Sequence, residues 1–257
     1  MKPEYIDIGL NLFCSQFREP ERIMREAHEA GVQFIITGAD MKSSEAAARF
    51  VRTRNCYATA GIHPHDADRA RPEDFKRLRE LYSQERVVAV GECGLDYNRM
   101  FSTVENQLDC LKRQIELAEE TGLPMFLHER DAFEELVKSF EGHEELCKRS
   151  VVHCFTGTAG EVKKYLDMGF HIGITGWICD DRRAEALREA VKHIPADRLM
   201  IETDAPYLTP RNVKGLGRVN LPQNIVYVAA ELARYKGIPE EELKARLLEN
   251  TKRFFKL

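Results

Sequence analysis

The sequence predicts an α/β fold of the (β/α)8 TIM-barrel type, on three observations. Short apolar runs alternate with helix-spaced segments eight times along the chain. The length of 257 residues suits one such barrel with a single core, so one domain over 1–257 is expected. Polar residues of metal-ligand type stand at the ends of several apolar runs, where a barrel carries its chemistry. An open doubly wound sheet shares the alternation. It is disfavoured because no Gly-rich phosphate loop follows the first run and the polar residues are spread over many run ends.

Tyr5–Gly9 is the first expected strand, followed by a helix over Glu19–Ala30 with apolar spacing at Ile23, Ala27 and Ala30 and a closing Gly31. The unit repeats as a strand over Phe34–Gly38 with a helix over Ser43–Thr53, then a strand over Tyr57–Gly61 with a helix from Pro72 to Ser83. Val87–Val90 reads as a strand buried on both faces, after which Gly91 turns the backbone and Glu92 arrives at the strand's C-terminal end. A helix over Val104–Thr121 begins after a cap at Ser102 or Thr103. Strands five to eight are expected at Met125–Leu127, Val151–Val152, His171–Ile174 and Leu199–Ile201. Helices at Ala132–Glu141, Gly160–Met168, Arg183–His193, Leu221–Tyr235 and Glu240–Arg253 complete the pattern.

Composition narrows the function classes. Hydrophobic residues at 43% and charged residues at 31% describe an ordinary globular chain. No apolar stretch is long enough to span a bilayer and the N-terminus lacks an export pattern, so a cytoplasmic protein without membrane attachment is expected. A formal charge of −4 provides no global field for nucleic acid, so recognition of a polynucleotide would have to be local. Seven cysteines without a CxxC pair argue against a disulfide framework and a zinc knuckle. Cys93 and Cys154, beside proposed ligands, are expected to be buried fillers rather than nucleophiles.

Four apolar runs end in Glu92, His128, His153 and the group Glu202-Thr203-Asp204. At one rim of a barrel, Glu92, His128, His153 and Asp204 would form a mixed nitrogen and oxygen ligand set suited to a catalytic Mg²⁺, Mn²⁺ or Zn²⁺ with positions left open for water and substrate. His63 and His65 after strand three add two imidazoles to that rim. Arg130 is the best-placed cation for a phosphodiester, with Arg182, Arg183, Arg211, Lys214 and Arg218 in later loops. Trp177, Tyr97 and Tyr207 at strand ends are candidates to stack on unpaired bases, whereas Phe155 is expected in the core.

The motifs GIHPH (61–65), GECGLDY (91–97), HERDA (128–132), HCFTGT (153–158), IGITGW (172–177) and ETDAPYL (202–208) resemble, in order and over nearly the whole chain, those of the TatD family of metal-dependent deoxyribonucleases. The resemblance implies an amidohydrolase-like barrel and a cytoplasmic, Mg²⁺-dependent 3′-to-5′ exonuclease on single-stranded DNA and RNA that serves repair of oxidatively damaged DNA, here expected as a monomer. It also implies that Glu92, His128 and His153 are metal ligands, Asp204 the metal-site aspartate, and His63 and His65 the histidines near the phosphate. The expected roles are catalytic for Asp204 and Glu92, with Asp204 orienting or deprotonating water, and substrate-binding for His63, His65, Arg130, Trp177 and Tyr207. Two segments depart from the pattern. Gly9 and Asn11 stand where many relatives carry two strand-one histidines, so one well-occupied metal is expected, and Arg218–Pro222 lacks the glutamate many relatives have. An ester or amide hydrolase acting on aminoacyl-tRNA, or a silent binding scaffold, are the alternative readings.

Overall fold

The computed structural model describes residues 2–257. Eight strands, β1 (Tyr5–Leu10), β2 (Val32–Ile36), β3 (Tyr57–Ala60), β4 (Val87–Asp96), β5 (Met125–Arg130), β6 (Ser150–Val152), β7 (His171–Ile174) and β8 (Leu199–Ile201), make one sheet in sequence order. Pairing is parallel in β1–β2, β3–β4, β4–β5, β5–β6 and β7–β8. A parallel bridge between Leu10 and Ala205 joins the end of β1 to the segment after β8. With helices α1 (Pro20–Glu29), α2 (Met41–Val51), α3 (Pro72–Tyr82), α4 (Val104–Thr121), α5 (Phe133–Ser139), α6 (Glu144–Cys147), α7 (Ala159–Met168), α8 (Glu185–Val191), α9 (Ile225–Lys236) and α10 (Glu240–Phe255), this is the expected (β/α)8 barrel.

Two compact units are distinguished by internal packing: one holds the chain up to Ile36 with Cys154–Asp167 and His171–Leu257, the other Thr37–His153 with Met168–Phe170. In the first, Ile8, Leu10, Phe34, Ile36, Ile172 and Leu199 are buried; in the second, Val90, Met125, Phe126, Leu127 and Val151 are. Burying each such side chain contributes about 1.5–3 kcal/mol, which is why short strands of these residues suffice.

Local chemistry explains the helix ends. Thr103 caps α4 by accepting from Asn106 N at 3.3 Å, and Gly122 ends it in the left-handed conformation. The expected helix over Leu221–Tyr235 starts late, because Pro222–Asn224 form a 3-10 turn before α9. The helix expected from Arg183 begins at Glu185, since the Asp180 carboxylate accepts from Arg182 N at 3.2 Å and holds a turn there.

The main correction concerns β4. It runs through Gly91 and Glu92 to Asp96 instead of ending at Val90. A Cβ on Gly91 would lie 2.2 Å from Phe126 O, and one on Gly94 would lie 1.9 Å from His128 O. These glycines therefore serve close approach to β5, with φ of +132° and +142°, and the pairing shifts register between Val90 and Cys93. None of the seven cysteines is in a disulfide, Cys93 is buried with its thiol pushed well up by burial, and Phe155 lies in the core as expected. Among the described residues no helix is long and apolar enough to cross a membrane.

Candidate metal centre

Side chains on a strand alternate between faces, so Glu92 and Asp96 on β4 share one face, as do His128 and Arg130 on β5. The register sets Gly94 opposite His128 and Asp96 opposite Arg130. Glycine at 94 lets the two strands approach closely between the two carboxylates.

Three imidazoles converge on one oxygen. Glu92 Oε1 lies 2.8 Å from His153 Nε2, 3.1 Å from His128 Nδ1 and 3.3 Å from His63 Nε2. Asp96 Oδ2 lies 2.7 Å from His65 Nε2 and 3.2 Å from His128 Nε2, so His128 bridges the two carboxylates. His63, Glu92 and His153 are buried and His128 is half-buried. Ligand atoms of His63, Glu92 and His128 lie within 4.8 Å of one another, close enough to hold one ion. A buried set of imidazole nitrogens and carboxylate oxygens fits a divalent cation, which would replace several hydrogen bonds to one oxygen with direct ligation.

Electrostatics favour that use. Burial would raise the Glu92 carboxyl, but His153, His63 and His128 hold it well below the usual range, so it stays ionised. Burial also works against ionisation of Asp96, yet hydrogen bonds with His128 and His65 and from Arg99 N keep it far below the usual range. His63 is lowered to about 4, mainly by burial, and is neutral at pH 7. For His128, burial is outweighed by the two carboxylates, so its pKa is raised.

Helix α4 positions part of this site through two buried glutamines. Gln114 Oε1 accepts from Ile62 N at 2.9 Å while its Nε2 donates to Ile62 O at 3.0 Å, immediately before His63. Gln107 does the same for Asp96, accepting from its N at 2.8 Å and donating to its O at 3.1 Å. Each side-chain amide thus acts on the loop backbone as a neighbouring strand would. His63 N also donates to Ala39 O at 2.8 Å, and its Nδ1 accepts from His65 N at 3.1 Å.

Asp204 belongs to the other unit, in a turn after β8 where its φ is +53°. Asn11 Nδ2 donates to Asp204 Oδ1 at 2.8 Å. The turn is held by Asp7, which is fully buried and accepts from Thr203 N at 2.9 Å, from Gly9 N at 3.1 Å and from the Thr203 hydroxyl. Burial pushes Asp7 up to about 8 despite these bonds. Asn220 Nδ2 donates to Thr203 O at 3.1 Å, so the Arg218–Pro222 segment carries a clamp on this turn. Tyr207 OH is 3.3 Å from Cys14 Sγ, and Trp177 sits in a 3-10 turn after β7. Of the residues singled out from sequence, Glu92, His128, His153, His63 and His65 come together, with Arg130 closing β5 in register with Asp96. Asp204, Trp177 and Tyr207 lie in the first unit. Asp96 was missed, although its position four residues beyond Glu92 on a continuing strand would have placed it on the same face. Asp7 is the one residue of the family's strand-one pattern that this chain keeps, whereas Gln107 and Gln114 carry no sequence signal for the role they play.

A family model described as TatD related DNase matches residues 6–256. The chain is 41% identical over 254 residues, 97% of each chain, to the protein of Klebsiella pneumoniae named 3′-5′ ssDNA/RNA exonuclease TatD. Its structure is similar, with a TM-score of 0.90 over 100% of both chains and 27% identity, to the TatD homologue YJJV of Escherichia coli K12. The phosphotriesterase homology protein of Escherichia coli, solved with phosphate in its active site, shares the fold with a TM-score of 0.72 and 16% identity over 99% of this chain and 100% of that one.

Proposed function

The chain belongs to the family of TatD-related DNases, and on that premise we propose that it is a Mg²⁺-dependent exonuclease removing nucleotides from the 3′ end of single-stranded DNA and RNA. The observation that supports this reading best is the convergence of three imidazoles on the buried, ionised Glu92. A divalent cation bound there supplies positive charge that polarises the phosphodiester and acidifies water. Glu92, His128 and His153 would hold it, and Asp204 would orient or deprotonate the attacking water. His63 takes a different part: its ring is neutral and its Nδ1 accepts from a backbone N–H, so the proton sits on Nε2, directed at Glu92 Oε1 3.3 Å away, and would turn to a phosphate oxygen once a cation took over that carboxylate. His65, fixed by Asp96, stands beside it, and Arg130 supplies the cationic contact to phosphate. Trp177 and Tyr207 offer faces to unpaired bases. We further infer a monomeric enzyme of the cytoplasm, a compartment that suits seven cysteines without a disulfide, with trimming of damaged 3′ ends as its use.

The test is turnover of single strands labelled at the 3′ or the 5′ end, with Mg²⁺, Mn²⁺ or Zn²⁺ and with chelator. Nucleoside monophosphates should leave the 3′ end first and only with metal. Hydrolysis of an aminoacyl ester with no nucleotide release would replace this reading.

A further inference from the structure

We propose that the loops after β7 and β8 form a nucleotide subsite, which takes one base and its phosphate from a single strand; the proposal rests on the nuclease reading for its substrate class but not for its geometry. These loops enclose a pocket of about 650 Å³, within the range of small-ligand sites. Trp177 lines it together with four arginines, Arg182, Arg183, Arg211 and Arg218, against a single carboxylate, Asp180. In a chain of formal charge −4 this is a local concentration of positive charge.

The arginines divide by role. Asp180 holds Arg182 with two bonds, Oδ1 to Nε at 2.8 Å and Oδ2 to Nη2 at 2.7 Å, and Oδ2 also lies 3.4 Å from Arg211 Nε. That carboxylate is largely satisfied by them. Among the described residues Arg183 and Arg218 have no ion-pair partner; the Arg183 guanidinium lies 5.7 Å from the centre of the Trp177 ring, and Arg218 is tied only through its carbonyl, which accepts from Thr209 Oγ1 at 3.3 Å. The wall is built for close contact, since a Cβ on Gly176 would stand 2.3 Å from Leu208 O. An indole ring with a guanidinium near it can stack on a flat base without regard to its identity, and planar guanidiniums bind phosphate oxygens in pairs. A purely aromatic pocket would suit an apolar ligand and a purely cationic one any anion, but both together match a nucleotide.

Trp177 is the only tryptophan in the chain, so its emission reports on this pocket alone. The experiment is a fluorescence titration in chelator with pentathymidylate, thymidine 5′-monophosphate and inorganic phosphate as probes. Both nucleotide probes should quench Trp177 saturably, the pentamer more tightly, while inorganic phosphate should not. Arg218→Gln should weaken pentathymidylate about tenfold with unchanged circular dichroism, and exposed Arg25→Gln should not weaken it. Absent quenching, unchanged affinity in Arg218→Gln, or equal competition by inorganic phosphate would overturn the subsite. Normal nucleotide release with a flat titration would remove the subsite and leave the nuclease reading intact; saturable quenching without any metal-dependent release would do the reverse.

Discussion

A carboxylate oxygen surrounded by three imidazole nitrogens has no neutral substitute, and Glu92 is that group. Glu92→Gln keeps volume but replaces an anion with an amide whose NH2 cannot ligate. Turnover should fall by about a hundredfold or more, in keeping with loss of a metal ligand, while circular dichroism stays that of the parent. Activity within a few fold of the parent would take Glu92 out of the site. At this scale much of the centre was legible in the sequence, because Glu92, His128 and His153 each interrupt an apolar run, and a polar residue at the end of such a strand has to face something. Asp96 was not legible for a specific reason. Gly91 suggests a turn, and a turn there ends the strand that would have carried the inward face on to position 96. In the folded chain Gly91 and Gly94 instead allow β5 to approach, and the strand goes on.

Element order and type follow from apolar spacing, and α4 matches its expected bounds because cap and terminator are both local signals, Thr103 and Gly122. What spacing does not show is the side of a helix used for polar work. Gln107 and Gln114 are seven apart, two turns, and so lie on one side of α4, the first on Asp96 and the second on Ile62. Gln114→Glu keeps the acceptor but loses both donated protons and buries a charge. It should cost about 1–3 kcal/mol in urea unfolding and lower turnover by displacing His63, whereas an unchanged midpoint would mean that the clamp is dispensable. A second element-scale expectation concerns β7 and α10. His171 packs 4.7 Å from Phe254, its buried Nδ1 lacks a hydrogen-bond partner, and burial, then Arg198 and Arg253, lowers it to about 4. The folded chain therefore refuses a proton that the unfolded chain accepts near pH 6.5, so the contribution is favourable above that pH and is lost as the pH falls toward 4. His171→Phe should remove about 2 kcal/mol of the stability lost between pH 7 and pH 5, read from melts at the two values. An equal loss in parent and variant would assign the acid sensitivity elsewhere.

For the molecule as a whole, the departure on β1 bears on how many ions it carries. Two-metal sites hold their ions about 3.5–4 Å apart and each needs its own ligands. Gly9 supplies none, and the Asn11 amide is engaged as a donor to Asp204. Calorimetry without nucleic acid should therefore find close to one tight Mg²⁺ or Mn²⁺ site, and Gly9→His with Asn11→His should raise the stoichiometry toward two. Two equally tight sites in the parent would show that other residues replace the missing histidines. The glutamine clamps of α4 also have a consequence in time. The amide hydrogens of Ile62 and Asp96 are held by side chains of a helix, not by a neighbouring strand. Their exchange with deuterated water should follow the opening of α4 rather than of the sheet. A substitution that frays α4 should then make these two amides exchange faster together, while the strand amides around them keep their pace.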